Sequence, residues 1–129
     1  GDLSAHVLVI DPDKEAGKEV CSFLLKSYHV HRATDSKGTF EVLQSHEIDL
    51  IIVNIDPANM EGLNLWNDIR EKFPQISSVA ISDGLQEEDL LDHPGGDTFS
   101  SFLVKPFESS EICAAVERAM VLRLDSKEA

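Results

Sequence analysis

The sequence predicts an α/β fold, a three-layer, doubly wound, five-stranded parallel sheet, and three observations lead there. Apolar strand-like runs alternate with segments of helical period along the chain, the pattern of a parallel sheet covered on both faces by helices. Runs such as Val7 to Ile10 and Leu50 to Val53 are apolar without in/out alternation, as burial on both sides requires. The 129 residues, 42% of them hydrophobic, suffice for one well-buried core and suggest one domain.

The first strand is His6 to Ile10 and stops at Asp11. From Pro12 or Asp13 to about Lys26, the residues Ala16, Val20, Phe23 and Leu24 recur at helical spacing. Pro12 sits near the first turn, and Asp13 and Glu15 oppose the positive end of the helix dipole. A short second strand, about His29 to Ala33, precedes a helix capped by Asp35 or Ser36, carrying Phe40 and Leu43 and ending near His46. The third strand, Leu50 to Val53, delivers Asn54 at its end. The third helix is expected to start after Gly62, with Leu63, Trp66, Ile69 and Phe73 on one stripe and Pro74 marking its end.

Ser78 to Ile81 reads as the fourth strand. Pro94, Gly95 and Gly96 limit the fourth helix to a short one, about Gln86 to Asp92. The fifth strand, Ser101 to Val104, leads through Lys105-Pro106 into a last helix. Ser109 or Ser110 is its expected cap, and Ile112, Ala115, Val116, Ala119 and Met120 form its buried stripe. No internal repeat, low-complexity tract or interdomain linker interrupts the pattern. The reading is one domain over residues 1–129, with a core of about 6–122 and with 123–129 as a C-terminal tail or the start of a linker.

The formal net charge is -13, with 24 Asp and Glu against 11 Lys and Arg. Such a field repels phosphate backbones and anionic lipid surfaces, so neither nucleic acid nor a membrane is an expected partner. No apolar run approaches the roughly 18 residues of a membrane span. GDLSAHVLVI lacks the basic flank and small-residue cleavage site of a secretory signal. Cys21 and Cys113 fall within helical patterns without ligand spacing and read as small packed thiols, which suits a reducing, cytoplasmic location. His29 and His31 share one strand face, but with no further ligand-type partner nearby no metal role is expected and they read as ordinary strand surface.

Open parallel sheets bind ligands beyond the carboxyl ends of their strands. Those ends carry Asp11, Asn54, Ser82 and Lys105, a carboxylate, an amide, a hydroxyl and an ammonium converging on one pocket.

In order and spacing, VLVIDPD, DLIIVNIDPANMEGL, SVAIS and FLVKPF resemble the receiver domain of two-component response regulators, from His6 to about Leu122. The resemblance implies a flavodoxin-like sheet of strand order 2-1-3-4-5. It also implies an Asp phosphoacceptor after strand three, Mg²⁺-binding acids after strand one, a hydroxyl after strand four and a Lys after strand five. Partners of such a domain are a cognate histidine kinase, an output domain or another signalling protein. They dock on the face of helix four, strand five and helix five, or on helix one. Phe102 matches the aromatic switch position on strand five.

Two positions depart from the family pattern. Asn54 occupies the acceptor position, and an amide lacks the ionised carboxylate that accepts a phosphoryl group. Pro12 stands where a second acid is usual, which removes a cation ligand. Asp11 and the Asp56 backbone carbonyl remain as metal donors, so no cofactor is expected beyond weakly held Mg²⁺. The expected function is that of a pseudo-receiver, a protein-interaction module of a phosphorelay rather than an enzyme, with Lys105 contacting Asp11 and Asn54. The alternative is an active receiver phosphorylated on Asp11, Asp13 or Asp56. A flavodoxin-type cofactor site is disfavoured, because the acidic DPDKE would repel phosphate where a phosphate loop is required.

Overall fold

Each expected strand forms. The computed structural model describes residues 5–128, with side chains described as far as residue 122. In chain order the elements are β1 (His6–Ile10), α1 (Lys14–Leu24), β2 (His29–Ala33), α2 (Ser36–Ser45) and β3 (Leu50–Asn54). They continue with α3 (Glu61–Lys72), β4 (Ser77–Ser82), α4 (Glu87–Leu91), β5 (Ser101–Val104) and α5 (Ser109–Glu128). All strand pairs are parallel, and the order is β2-β1-β3-β4-β5. This is the doubly wound, flavodoxin-like sheet.

The strands place alternate side chains in two separate cores. Val7, Val9, Leu50, Ile52, Val79 and Ile81 face α1 and α5, whose Val20, Leu24, Ile112 and Val116 cover them. Leu8, Ile10, Ile51, Val53 and Ala80 face the opposite layer, with Leu43 of α2, Leu63, Trp66 and Ile69 of α3, and Leu90 of α4. Both faces being apolar explains why the strands lack alternation. Cys21 and Cys113 lie in the α1/α5 layer as free thiols. Among the described residues no helix is long and apolar enough to cross a membrane.

Several boundaries differ from the sequence reading, among them β3, which extends to Asn54, and α1, which starts at Lys14. Helix α1 ends at Leu24, short of Lys26. Strand β4 is longer by Ser77 and Ser82. Helix α5 is not capped by Ser109 or Ser110; the Glu108 N–H instead donates to the Glu111 carboxylate at 2.9 Å, a bond within the first turn that serves the same end. Helix α3 starts at Glu61 rather than after Gly62, behind Met60 in the left-handed region at φ 56. The short α4 is as expected, five residues from Glu87 to Leu91.

Gly62 lies within the first turn of α3, pressed against the backbone of Asn54, and a Cβ there would collide with the Asn54 carbonyl oxygen. Helix α3 can approach the end of β3 only because that position has no side chain. Gly62→Ala is therefore expected to cost about 2 kcal/mol of stability, read as a lower urea midpoint with an unchanged m-value. An unshifted midpoint would show that the β3–α3 junction yields to the added methyl group.

Candidate functional site

The carboxyl ends of β1, β3, β4 and β5 meet as the sequence places them, and the contacts among them are uneven. Asp11 follows β1 and is 2% exposed. Its Oδ1 accepts from the Asp13 N–H at 2.9 Å, while its Oδ2 faces the Lys105 ammonium at 3.8 Å and has no hydrogen-bond partner. At that separation the pair is Coulombic rather than hydrogen-bonded. Burial raises the Asp11 pKa above the ordinary 3.8, and the Asp13 N–H and the Lys105 charge only partly offset it.

Asn54 ends β3, and its side-chain oxygen is buried without a hydrogen-bond partner. The expected contact from Lys105 to Asn54 is not made. Lys105 lies just past β5, its N–H donating to the Ser82 carbonyl at 2.8 Å, and its ammonium is directed to Asp11. Ser82 is fully buried, and its hydroxyl donates to the Ile55 carbonyl at 2.5 Å. That bond ties the end of β4 to the segment just after Asn54.

The remaining acids are engaged in the backbone. The Asp13 carboxylate caps α1, accepting from the Glu15 and Ala16 N–H groups at 3.0 and 3.2 Å. Asp56 is exposed; its Oδ1 accepts from the Ala58 N–H at 2.9 Å and its carbonyl from the Met60 N–H at 2.8 Å. Of the Mg²⁺ donors the sequence predicts, one carboxylate remains, already facing an ammonium, and the Asp56 carbonyl is engaged by the Met60 N–H. Hard divalent cations bind by ligand charge, and this group of residues does not fit one well.

Pro12 and Asn54 also line a cleft of about 310 Å³, which the sequence reading did not foresee. Asp35, Glu61, Gly62 and Asp68 are also part of its wall, while Asp11, Ser82 and Lys105 are not. Phe102 is half-buried and packs against the layer containing Trp66 and Leu90.

A second polar cluster stands at the opposite, amino end of the sheet. His29 and His31 share a strand face as expected, and the partners that sequence proximity did not reveal come from His6 of β1 and His46 at the end of α2. The His31 pKa is lowered from 6.5, first by burial and then by the neighbouring His46, His6 and His29 rings. The missing signal was strand register, which pairs His6 with His29.

The family model described as the response regulator receiver domain matches residues 7–117. Among curated proteins, the chain is 25% identical over 127 residues to the probable transcriptional regulator ycf27 of Cyanidium caldarium, covering 96% of this chain and 49% of that protein. It is 29% identical over 125 residues to the regulatory protein VirG of Agrobacterium fabrum, covering 95% and 49%. The chain thus spans about half the length of these relatives. Among solved structures, NtrX of Brucella abortus in complex with ADP superposes with a TM-score of 0.85 at 21% identity, over 97% of this chain and 28% of that one. A response regulator of Thermotoga maritima gives 0.81 at 24% identity, over 92% and 99%.

The raised Asp11 pKa has a definite sign. Its contribution to stability is complete below 3.8 and is lost as pH rises through the higher folded-state value, so the ionised, buried carboxylate costs stability at neutral pH. Asp11→Asn keeps an acceptor for the Asp13 N–H and removes that charge. The variant should be more stable than the parent at pH 7 by about 1 kcal/mol, and the difference should vanish below pH 3.8. A less stable variant at pH 7 would show that the Lys105 attraction outweighs burial.

Proposed function

Because the chain belongs to the response regulator receiver family of two-component signalling, we propose that it is a pseudo-receiver, a domain that signals by docking and is not switched by aspartyl phosphorylation. The observation that carries this reading is Asn54 at the carboxyl end of β3. An amide oxygen has no formal charge and is a weak nucleophile, so an acyl phosphate does not form on it.

The rest of the pocket supports the same reading. Mg²⁺ is proposed to be absent or weakly held, since Pro12 contributes no donor and Asp13 is committed to capping α1. The Lys105 ammonium already faces Asp11, so this carboxylate is partly neutralised before any dication binds. The alternative acceptors are poorly placed: Asp11 is buried against Lys105, and Asp56 lies in an exposed turn.

Receiver domains interact with signalling proteins such as kinases and output domains. For this chain the proposed docking face is α4, β5 and α5, where Leu91, Val104, Val121 and Leu122 are exposed apolar side chains. Helix α1, with Leu25 exposed just past its end, is the second surface offered to a kinase or similar partner.

Incubation with acetyl phosphate and Mg²⁺, followed by intact-mass measurement, tests the reading. The parent chain should gain no phosphoryl group. Asn54→Asp alone should gain little, because Pro12 still withholds a metal ligand, whereas Asn54→Asp with Pro12→Asp should be phosphorylated. Phosphorylation of the parent would refute the pseudo-receiver reading, and full phosphorylation of the single variant would refute the role given to Pro12.

A further inference from the structure

Two strands and a helix end bring histidines together on the α2–α3 side of the sheet, away from the Asn54 pocket. His6 opens β1, His31 lies in β2, and His46 caps the end of α2. The His6 Nδ1 and His31 Nε2 atoms are 2.9 Å apart, and the His31 and His46 ring centroids are 4.3 Å apart. One ring nitrogen from each of the three lies within 4.8 Å of the others. His29 stacks on His6 at 4.6 Å and flanks the group.

We propose that His6, His31 and His46 form a binding site for a borderline transition-metal dication, Zn²⁺ being the type case.

The donor chemistry selects this class. Imidazole nitrogens suit Zn²⁺, Ni²⁺ and Cu²⁺, while Mg²⁺ and Ca²⁺ require oxygen ligands. A tetrahedral ion with metal–nitrogen bonds of about 2.0–2.1 Å holds its ligand nitrogens about 3.3 Å apart. His6 and His31 are already near that spacing at 2.9 Å. The widest separation, 4.8 Å, must close by about 1.5 Å, and exposed His46 has the rotamer freedom to do so.

The scaffold fixes two of the three ligands. His6 and His31 sit on adjacent strands joined by the β1–β2 ladder, in which His6 pairs with His29 and Leu8 with His31. Asp49 holds His6 from both sides, its carboxylate accepting from the His6 N–H at 2.8 Å and its own N–H donating to the His6 carbonyl at 2.9 Å. Ligands set on strands are held more precisely than ligands set on loops. A net charge of -13 draws dications toward the surface. Three protein nitrogens leave one tetrahedral position for water or for a donor from another molecule. A bound ion would link β1, edge strand β2 and α2, so binding should raise thermal stability.

The test uses the full 129-residue chain without an affinity tag, stripped with EDTA and titrated calorimetrically with Zn²⁺. One equivalent should bind saturably, raise the melting temperature, and resist competition by excess Mg²⁺. In NMR spectra Zn²⁺ should move the ring signals of His6, His31 and His46 and leave those of distant His93 in place. Exposed His46→Ala should melt like the metal-free parent while losing Zn²⁺ affinity by at least about tenfold, since even outer-shell losses commonly reach that size. His31→Gln should show the same loss, with its metal-free melting curve reporting the fold. Absence of saturable binding, or affinity undiminished in both variants, would overturn the site.

Discussion

Burial of the sheet on both faces is the constraint on which the rest of this structure depends. With helices covering each side, the interiors of the three central strands are almost wholly apolar; Val7 to Val9, Leu50 to Val53 and Val79 to Ile81 are fully buried. Polar chemistry gathers at the strand ends and along edge strand β2, where backbone and side chains regain access to water or to one another. Strand β1 shows this in one element. It carries His6 at its start and delivers Asp11 immediately after its last residue, with nothing ionisable between them.

At the carboxyl ends the same burial decides what each polar group can do. Asp11 is ionisable but desolvated, and a single ammonium at 3.8 Å compensates it only in part. Its Oδ2 and the Asn54 oxygen are both acceptors without donors, a state that costs free energy in a buried site. The pocket thus holds one buried carboxylate partly compensated by an ammonium, and a neutral amide at the end of β3. Ser82 shows what remains: its hydroxyl closes on the Ile55 carbonyl and joins β3 to β4.

Legibility in the sequence followed the range of the interactions. The strands were readable because apolar runs of unbroken hydrophobicity report burial locally, and Asp13 and Asp35 act as caps close to where their patterns placed them. The start of α3 is not legible locally, since glycine normally weakens a helix. Gly62 is tolerated in the first turn since Asn54 backbone occupies the space of its side chain, a tertiary fact. The Lys105 to Asn54 contact failed for a related reason: chain order shows which ends converge, but not that the buried carboxylate of Asp11 outcompetes a neutral amide for one ammonium. The histidine cluster was invisible because His6, His31 and His46 are separated by long stretches of sequence, and only register and the end of α2 unite them.

The two polar ends of β1 are also energetically separate. The strand is five residues long, about 16 Å at the usual rise, beyond the 7–10 Å or so within which substitutions commonly couple. Its interior side chains are packed in both cores, and coupling over such a distance requires an intervening element with two alternative arrangements. A tightly filled strand has little room for a second arrangement. Changes at His6 should therefore add to changes at Asp11 or Asn54 without an interaction term. The two ends of the sheet then differ in their chemistry and in what they can report: one sets a buried carboxylate against an ammonium near a neutral amide, the other is a nitrogen cluster held by the first pairings of β1 and β2.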